Sequence, residues 1–262
     1  MRSRERALAA AVALSLLAGC GGATTADPGS PGLRIAAAAD LRYALEELVE
    51  AFEAEHPEVE VTVSYGSSGT LLAQLENGAP FDLCLSADVS YAERLQEEGL
   101  TMRDGVFAYA VGRIVVWVPA DSPLDAEGLG MEALLQPSVR AVAIANPDHA
   151  PYGRAAVAAM RSLGVYGRVR DRLVLGENVA QTAQFVQTGA ADVGIIALSL
   201  ALAPGAEGRW WEIPADAHPP ILQGGAIMRW ARDPDAARAF VALLLGPEGR
   251  AILARYGFEE PG

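Results

Sequence analysis

The sequence predicts an α/β fold made of repeated strand–helix units. Three observations carry this expectation. Short apolar runs alternate with segments whose apolar residues recur at helical spacing. The chain has 262 residues, 51% of them hydrophobic, enough for one large domain or two smaller lobes. A long β-rich run at 106–119 and a second apolar strand at 221–228 suit two crossings between two such lobes.

In chain order, 33–39 is an apolar strand, and 41–55 is a helix with Leu41, Leu45, Leu48, Val49 and Phe52 on one face. A second strand at 59–65 alternates Val61, Val63 and Tyr65 before a helix at 70–77. Residues 81–85 form a short buried strand, and 89–98 a helix ended by Gly99. Beyond the 106–119 run come a strand at 140–145, a helix at 151–163, a strand at 172–175 and a helix at 179–187. Strands at 192–196, in "WWEIP" and at 221–228 follow, and helices at 234–245 and 247–256 close the chain. Repeated βα units imply mostly parallel sheets with helices on both faces.

The beginning of the chain is of another kind. Arg2, Arg4 and Arg6 precede an apolar run at 7–18, too short to span a bilayer, which marks residues 1–19 as an export signal. Leu17-Ala18-Gly19-Cys20 resembles the bacterial lipoprotein box, with Cys20 the residue to be lipidated. The Gly-, Pro-, Ser- and Thr-rich segment 20–32 reads as a flexible tether from a membrane anchor. Removing residues 1–19, with three Arg and one Glu, takes the formal charge from −13 to −15. Every basic residue is arginine. So acidic a chain argues against nucleic acid and against an anionic membrane face. Cys84, in "FDLCLS", has no disulfide partner and reads as a small buried apolar residue. His56, His149 and His218 form no zinc pattern, and neither a cofactor nor a protein–metal ligand set is expected.

Four helix starts share a chemistry. Asp40 precedes Leu41-Arg42-Tyr43; Gly66-Ser67-Ser68-Gly69 precedes Thr70; Pro151-Tyr152-Gly153 opens a helix with proline at its first position; Asn178-Val179-Ala180-Gln181 has the form of a capping box. Helix starts carry unpaired N–H groups and a partial positive charge, and so suit anions. In open α/β sheets ligands sit beyond the carboxyl ends of the strands, where these turns fall.

The segments "AAAADLRYALEELVEAF", "YGSSGTLLAQLENGAPFDLCLSAD", "IANPDHAPYGRAA", "GENVAQTAQFVQTGAADVGI" and "GPEGRAILARYGF" resemble the molybdate-binding proteins of bacterial ABC transporters, from about residue 33 to 258. The resemblance implies a type II periplasmic-binding-protein fold, with two α/β lobes joined by a two-strand hinge over a ligand cleft. Lobe 1 would comprise 33–110 and 222–262, and lobe 2 would comprise 111–221. It implies capture of molybdate and tungstate by a monomer that delivers them to a membrane permease and ATPase, facing the periplasm or cell exterior. The molybdenum would be met only through its oxyanion. Family ligand positions fall on Asp40, Ser68, Tyr152 and the backbone N–H of Val179. Where some members carry a further tyrosine, this chain has Ala197, and Tyr152 supplies the phenol instead, as in another branch.

Asp40 departs from the pattern, since that position usually carries Ser, Thr or Asn, which can donate, whereas an ionised aspartate only accepts. Either Asp40 turns away as a cap, accepting from Arg42 or Tyr43, or its carboxylate faces the cleft and takes a proton-bearing ligand such as hydrogen phosphate. Of the paired serines, Ser67 is expected to cap the helix and Ser68 to hold the ligand. A binding protein for phosphate or sulfate, and an oxyanion-sensing lipoprotein, are the alternatives. An enzyme on the same fold would draw on Asp82, Asp88, Asp148 or His149. Asp82 and Asp88 read as caps and His149 as a loop hydrogen-bonder, so no catalytic residue is assigned.

Overall fold

The computed structural model describes residues 32–262. The signal at 1–19, Cys20 and the tether up to residue 31 lie outside the described residues. Strand β1 (Gly32–Ala38) leads through a 3-10 turn (Ala39–Leu41) into α1 (Arg42–Glu55), β2 (Glu60–Gly66) into α2 (Ser68–Glu76), and β3 (Leu83–Ser86) into α3 (Val89–Glu97). Strands β4 (Thr101–Gly112) and β5 (Ile114–Pro119) follow, then α4 (Ala126–Leu129) and a 3-10 segment (Gly130–Leu135). Next come β6 (Val142–Ala145), α5 (Pro151–Ser162), α6 (Tyr166–Val169), β7 (Leu173–Gly176), α7 (Val179–Gln187), β8 (Val193–Ala197) and α8 (Leu198–Ala201). Strands β9 (Gly208–Glu212) and β10 (Ile221–Met228) and helices α9 (Pro234–Leu245) and α10 (Pro247–Arg255) complete the chain.

The strands form two five-stranded sheets, ordered β2-β1-β3-β10-β4 and β7-β6-β8-β5-β9. Both are mixed rather than mostly parallel. In the first, β1 runs parallel to β2 and β3, while β10 runs antiparallel to β3 and β4. In the second, β6 runs parallel to β7 and β8, while β5 runs antiparallel to β8 and β9. The two strands that run against their neighbours, β5 and β10, are those that arrive from the other sheet. They are not products of a βα crossover, so the parallel rule does not bind them.

The apolar run at 106–119 is therefore not one strand. It breaks at Arg113, with β4 in one sheet and β5 in the other. Arg113 forms ion pairs there with Glu212 and Glu259. Each sheet has its own core. Phe52 of α1 meets Phe240 of α9 edge-on, with ring centroids 5.2 Å apart, over the first sheet. Trp117 of β5 is buried in the second, its indole against Gly208 of β9. Cys84 is buried and free at the centre of β3, and burial pushes its thiol up to about 12.

Asp82 is not a cap. Fully buried, it accepts from the backbone N–H of Arg34 at 2.8 Å and of Arg232 at 3.0 Å, and pairs with the Arg34 side chain at 3.2 Å. One carboxylate thus ties the start of β1 to the segment before α9. Asp88 does cap α3, accepting from Ser90 N–H at 3.1 Å. Asp82→Ala would leave buried N–H groups unpaired, and should cost about 3 kcal/mol of stability in urea unfolding. Asp88→Ala should cost about 1 kcal/mol as a lost cap.

Candidate functional site

The four helix starts meet. A small cavity is lined by Asp40, Ser67, Ser68, Tyr152, Asn178 and Val179 together with small residues of the same turns, and among the described residues no arginine lines it. Each turn follows a strand with a parallel neighbour: β1, β2, β6 and β7. The carboxyl ends of those strands therefore bring the starts of α1, α2, α5 and α7 to one seam between the sheets.

At the start of α2 the serines divide their work. Ser67 is the N-cap, its Oγ accepting from Thr70 N–H at 3.4 Å and lying 2.8 Å from His149 Nδ1. Ser68 Oγ accepts from Ala87 N–H at 2.9 Å, which leaves its own proton free to donate. Both are buried. At the start of α7 the Asn178 side chain accepts from Ala180 and Gln181 N–H, each at 3.0 Å, so the Val179 N–H is not among those it caps. Gln181 reaches back to Glu177 N–H at 2.7 Å, one residue earlier than a capping box has it. At α5, Pro151 occupies the first turn and no side chain caps the helix.

Asp40 does not cap its helix; no side-chain cap bond forms there, and neither Arg42 nor Tyr43 donates to it. It is 1% exposed. Its Oδ2 accepts from Tyr152 Oη at 2.9 Å, across the seam, and from Gln223 Nε2 of β10 at 2.6 Å. Gln223 Oε1 accepts from Tyr109 Oη at 2.8 Å, and Ser199 Oγ donates to the Asp40 carbonyl at 2.7 Å. Among the described residues Oδ1 is buried with no partner. Burial pushes the Asp40 carboxyl up to about 6, against the pull of the bonds from Gln223 and Tyr152 and of its own backbone N–H. Burial, then the neighbouring Asp40, raises the Tyr152 phenol well above its ordinary range, so it stays a donor. Gly112 is required here, because a Cβ would collide with Tyr152 Oη.

The seam is joined elsewhere by polar contacts. Gly69 N–H donates to the His149 carbonyl at 2.9 Å, and a Cβ on Gly69 would lie 2.7 Å from that oxygen. Thr70 Oγ1 donates to Glu177 at 2.9 Å, and Arg154 pairs with Asp88 at 2.7 Å. His149 does act as a loop hydrogen-bonder, whereas Asp82 and Asp148 are absent from the cavity lining. Gln223, Tyr109 and Ser199 belong to the site's support and were not anticipated. The signal for Gln223 was a lone amide inside the apolar strand "ILQGGAIM".

A family model described as bacterial extracellular solute-binding protein matches residues 33–259. The molybdate-binding protein ModA of Azotobacter vinelandii is 35% identical over 86% of this chain and 89% of its own length. That of Rhodobacter capsulatus is 38% identical over 76% of this chain and 77% of its own. The solved periplasmic molybdate-binding protein of Azotobacter vinelandii superposes with a TM-score of 0.81 at 31% identity, covering 88% of this chain and all of that one.

The buried Asp40 makes a testable contribution to the stability of the free protein. Its folded pKa lies above the ordinary 3.8, so the folded state holds its proton more tightly than the unfolded state. That contribution is full below pH 3.8 and is lost as the pH rises through about 6. Asp40→Asn should therefore leave stability nearly unchanged at pH 4 and raise it by about 3 kcal/mol at pH 7.5. A capping Asp40 would give the opposite sign, a loss of about 0.3–1 kcal/mol. Urea unfolding of both proteins at the two pH values separates the cases.

Proposed function

This chain belongs to the bacterial extracellular solute-binding proteins, and from that premise we propose that it captures molybdate, and tungstate with it, for an ABC importer. The observation that carries the proposal is a small buried cavity rich in hydroxyls and helix-start N–H groups with no arginine in its lining. Molybdate is fully ionised at neutral pH and only accepts hydrogen bonds, so it needs donors rather than a countercharge. In this reading Ser68 Oγ and the Val179 N–H donate to its oxygens from opposite sides. Tyr152 Oη and Asp40 close the remaining side, and no protein atom touches the metal. One lobe is built on the first sheet, residues 33–112 with 221–262, and the other on the second, 113–220, and the two shut over the anion. The relatives named above are binding proteins, and no catalytic role is assigned to this one.

Molybdate and tungstate should raise the melting temperature of residues 32–262. At a hundredfold excess over the dissociation constant the gain is about 2.7 kcal/mol. Sulfate, with shorter bonds, leaves the same donors short of ideal distance and should do less. An equal sulfate shift would mark a general oxyanion binder, and phosphate binding without molybdate binding would overturn the proposal. Ser68→Ala should weaken molybdate by about 1.5–3 kcal/mol, the range for a bond to a charged group. Ser67→Ala should cost up to about 1 kcal/mol of stability and less in affinity. The reverse order would exchange the roles of the two serines.

The delivery partners in this reading are a permease and its ATPase, met by a monomer held at the membrane through lipidated Cys20. Full-length protein should take up a fatty-acid label and enter the detergent phase on extraction. Cys20→Ser should do neither.

A further inference from the structure

The Asp40 carboxyl is buried, lines the cavity and keeps one oxygen, Oδ1, without a partner. Its other oxygen already accepts from Tyr152 and Gln223. The groups around it are neutral. Tyr152 faces it from α5, Gln223 from β10 with Tyr109 of β4 behind, and Ser199 of α8 holds its carbonyl. Arg42, two residues on, lies instead over the Tyr65 ring at 4.8 Å. His149 faces Ser67 and Glu177 at the start of α2. An ionised Asp40 would thus confront a dianion across a small cavity with no cation in its lining, and like charges repel strongly where water is excluded.

Resting on the reading of the ligand as a fully ionised tetrahedral dianion, we propose that the site binds the anion together with one proton, which goes onto Asp40 Oδ1, and that the O–H so formed donates to the ligand. The proton comes from solvent and returns there on release; no covalent bond to the anion forms and no electron moves. Oδ1 is the place for it because Oδ2 already receives two hydrogen bonds. The aspartate at a position that calls for a donor then becomes one by being neutral. Burial, even against the pull of its hydrogen bonds, already brings the carboxyl to about 6, so the anion has only to complete the shift.

Calorimetric titration of wild-type protein with sodium molybdate at pH 7.5, in two buffers of different ionisation enthalpy, measures the coupling directly. The expected result is about one proton taken up per anion and an affinity that falls about tenfold per pH unit from 7 to 8.5, levelling off below pH 6. Asp40→Asn should bind without proton uptake, with an affinity flat in pH and about a hundredfold tighter than wild type at pH 8. His149→Gln should keep the proton uptake, which excludes the seam histidine as the group that accepts it. Molybdate binding by wild type with no proton uptake and a pH-independent affinity overturns the coupling while leaving the assigned ligand in place. No molybdate binding at any pH overturns the ligand, and the coupling with it. The wild-type titrations decide the matter even if the Asp40 variant does not fold.

Discussion

A parallel strand pair can be joined only by a crossover, and a crossover through a helix sets the helix start at the carboxyl edge of the sheet. In this chain β1, β2, β6 and β7 each end at such a start. Placing two sheets with those edges toward one seam gathers backbone N–H groups and partial positive charge in a space where the net charge of the protein, −13 over the whole chain, would disfavour an anion. In the proposed function, recognition of a doubly charged ligand falls to dipoles and hydroxyls whose positions the backbone fixes. Small residues make room for this. Gly112 admits the Tyr152 phenol, and Gly69 admits the His149 carbonyl.

The contacts across the seam are mostly hydrogen bonds and ion pairs: Gly69 to His149, Thr70 to Glu177, Arg154 to Asp88, Tyr152 to Asp40. Such groups exchange protein partners for water at little net change in free energy. The two main cores are apolar, and the larger reaches across the seam only through small or peripheral members of the first sheet's elements, Ala38, Ala87, Tyr43 and Ile221. Asp40 is the exception among the seam contacts, since its burial is what sets its protonation.

Local features were legible in the sequence, and distant ones were not. The Ser67 and Asn178 caps reach only two or three residues along the chain, so spacing alone revealed them. Strand and helix positions were mostly right to within a residue or two because burial imposes their periods. The run at 106–119 hid its break at Arg113, as apolar β-branched residues continue on both sides. Helices α4, α6 and α8, one turn each, are too short to show a period. Asp40 stayed open between a cap and a carboxylate facing the cleft for another reason. Its partners Tyr152 and Gln223 lie 112 and 183 residues away, and a helix start with an acidic residue looks locally like a cap. Asp82 was misread in the same way, its second backbone partner being 150 residues distant.

Cys84 sits in the middle of β3, hydrogen-bonded on both sides of its strand and shielded from solvent. Only the thiolate attacks disulfides and oxidants, and burial keeps this thiol protonated far above any working pH. For a protein of an extracellular family, burial in the fold therefore protects this thiol from an oxidising compartment. The sulfur becomes reactive only when the first sheet comes apart, so mixed-disulfide formation at this one position would time the opening of that sheet as a clock built into the chain.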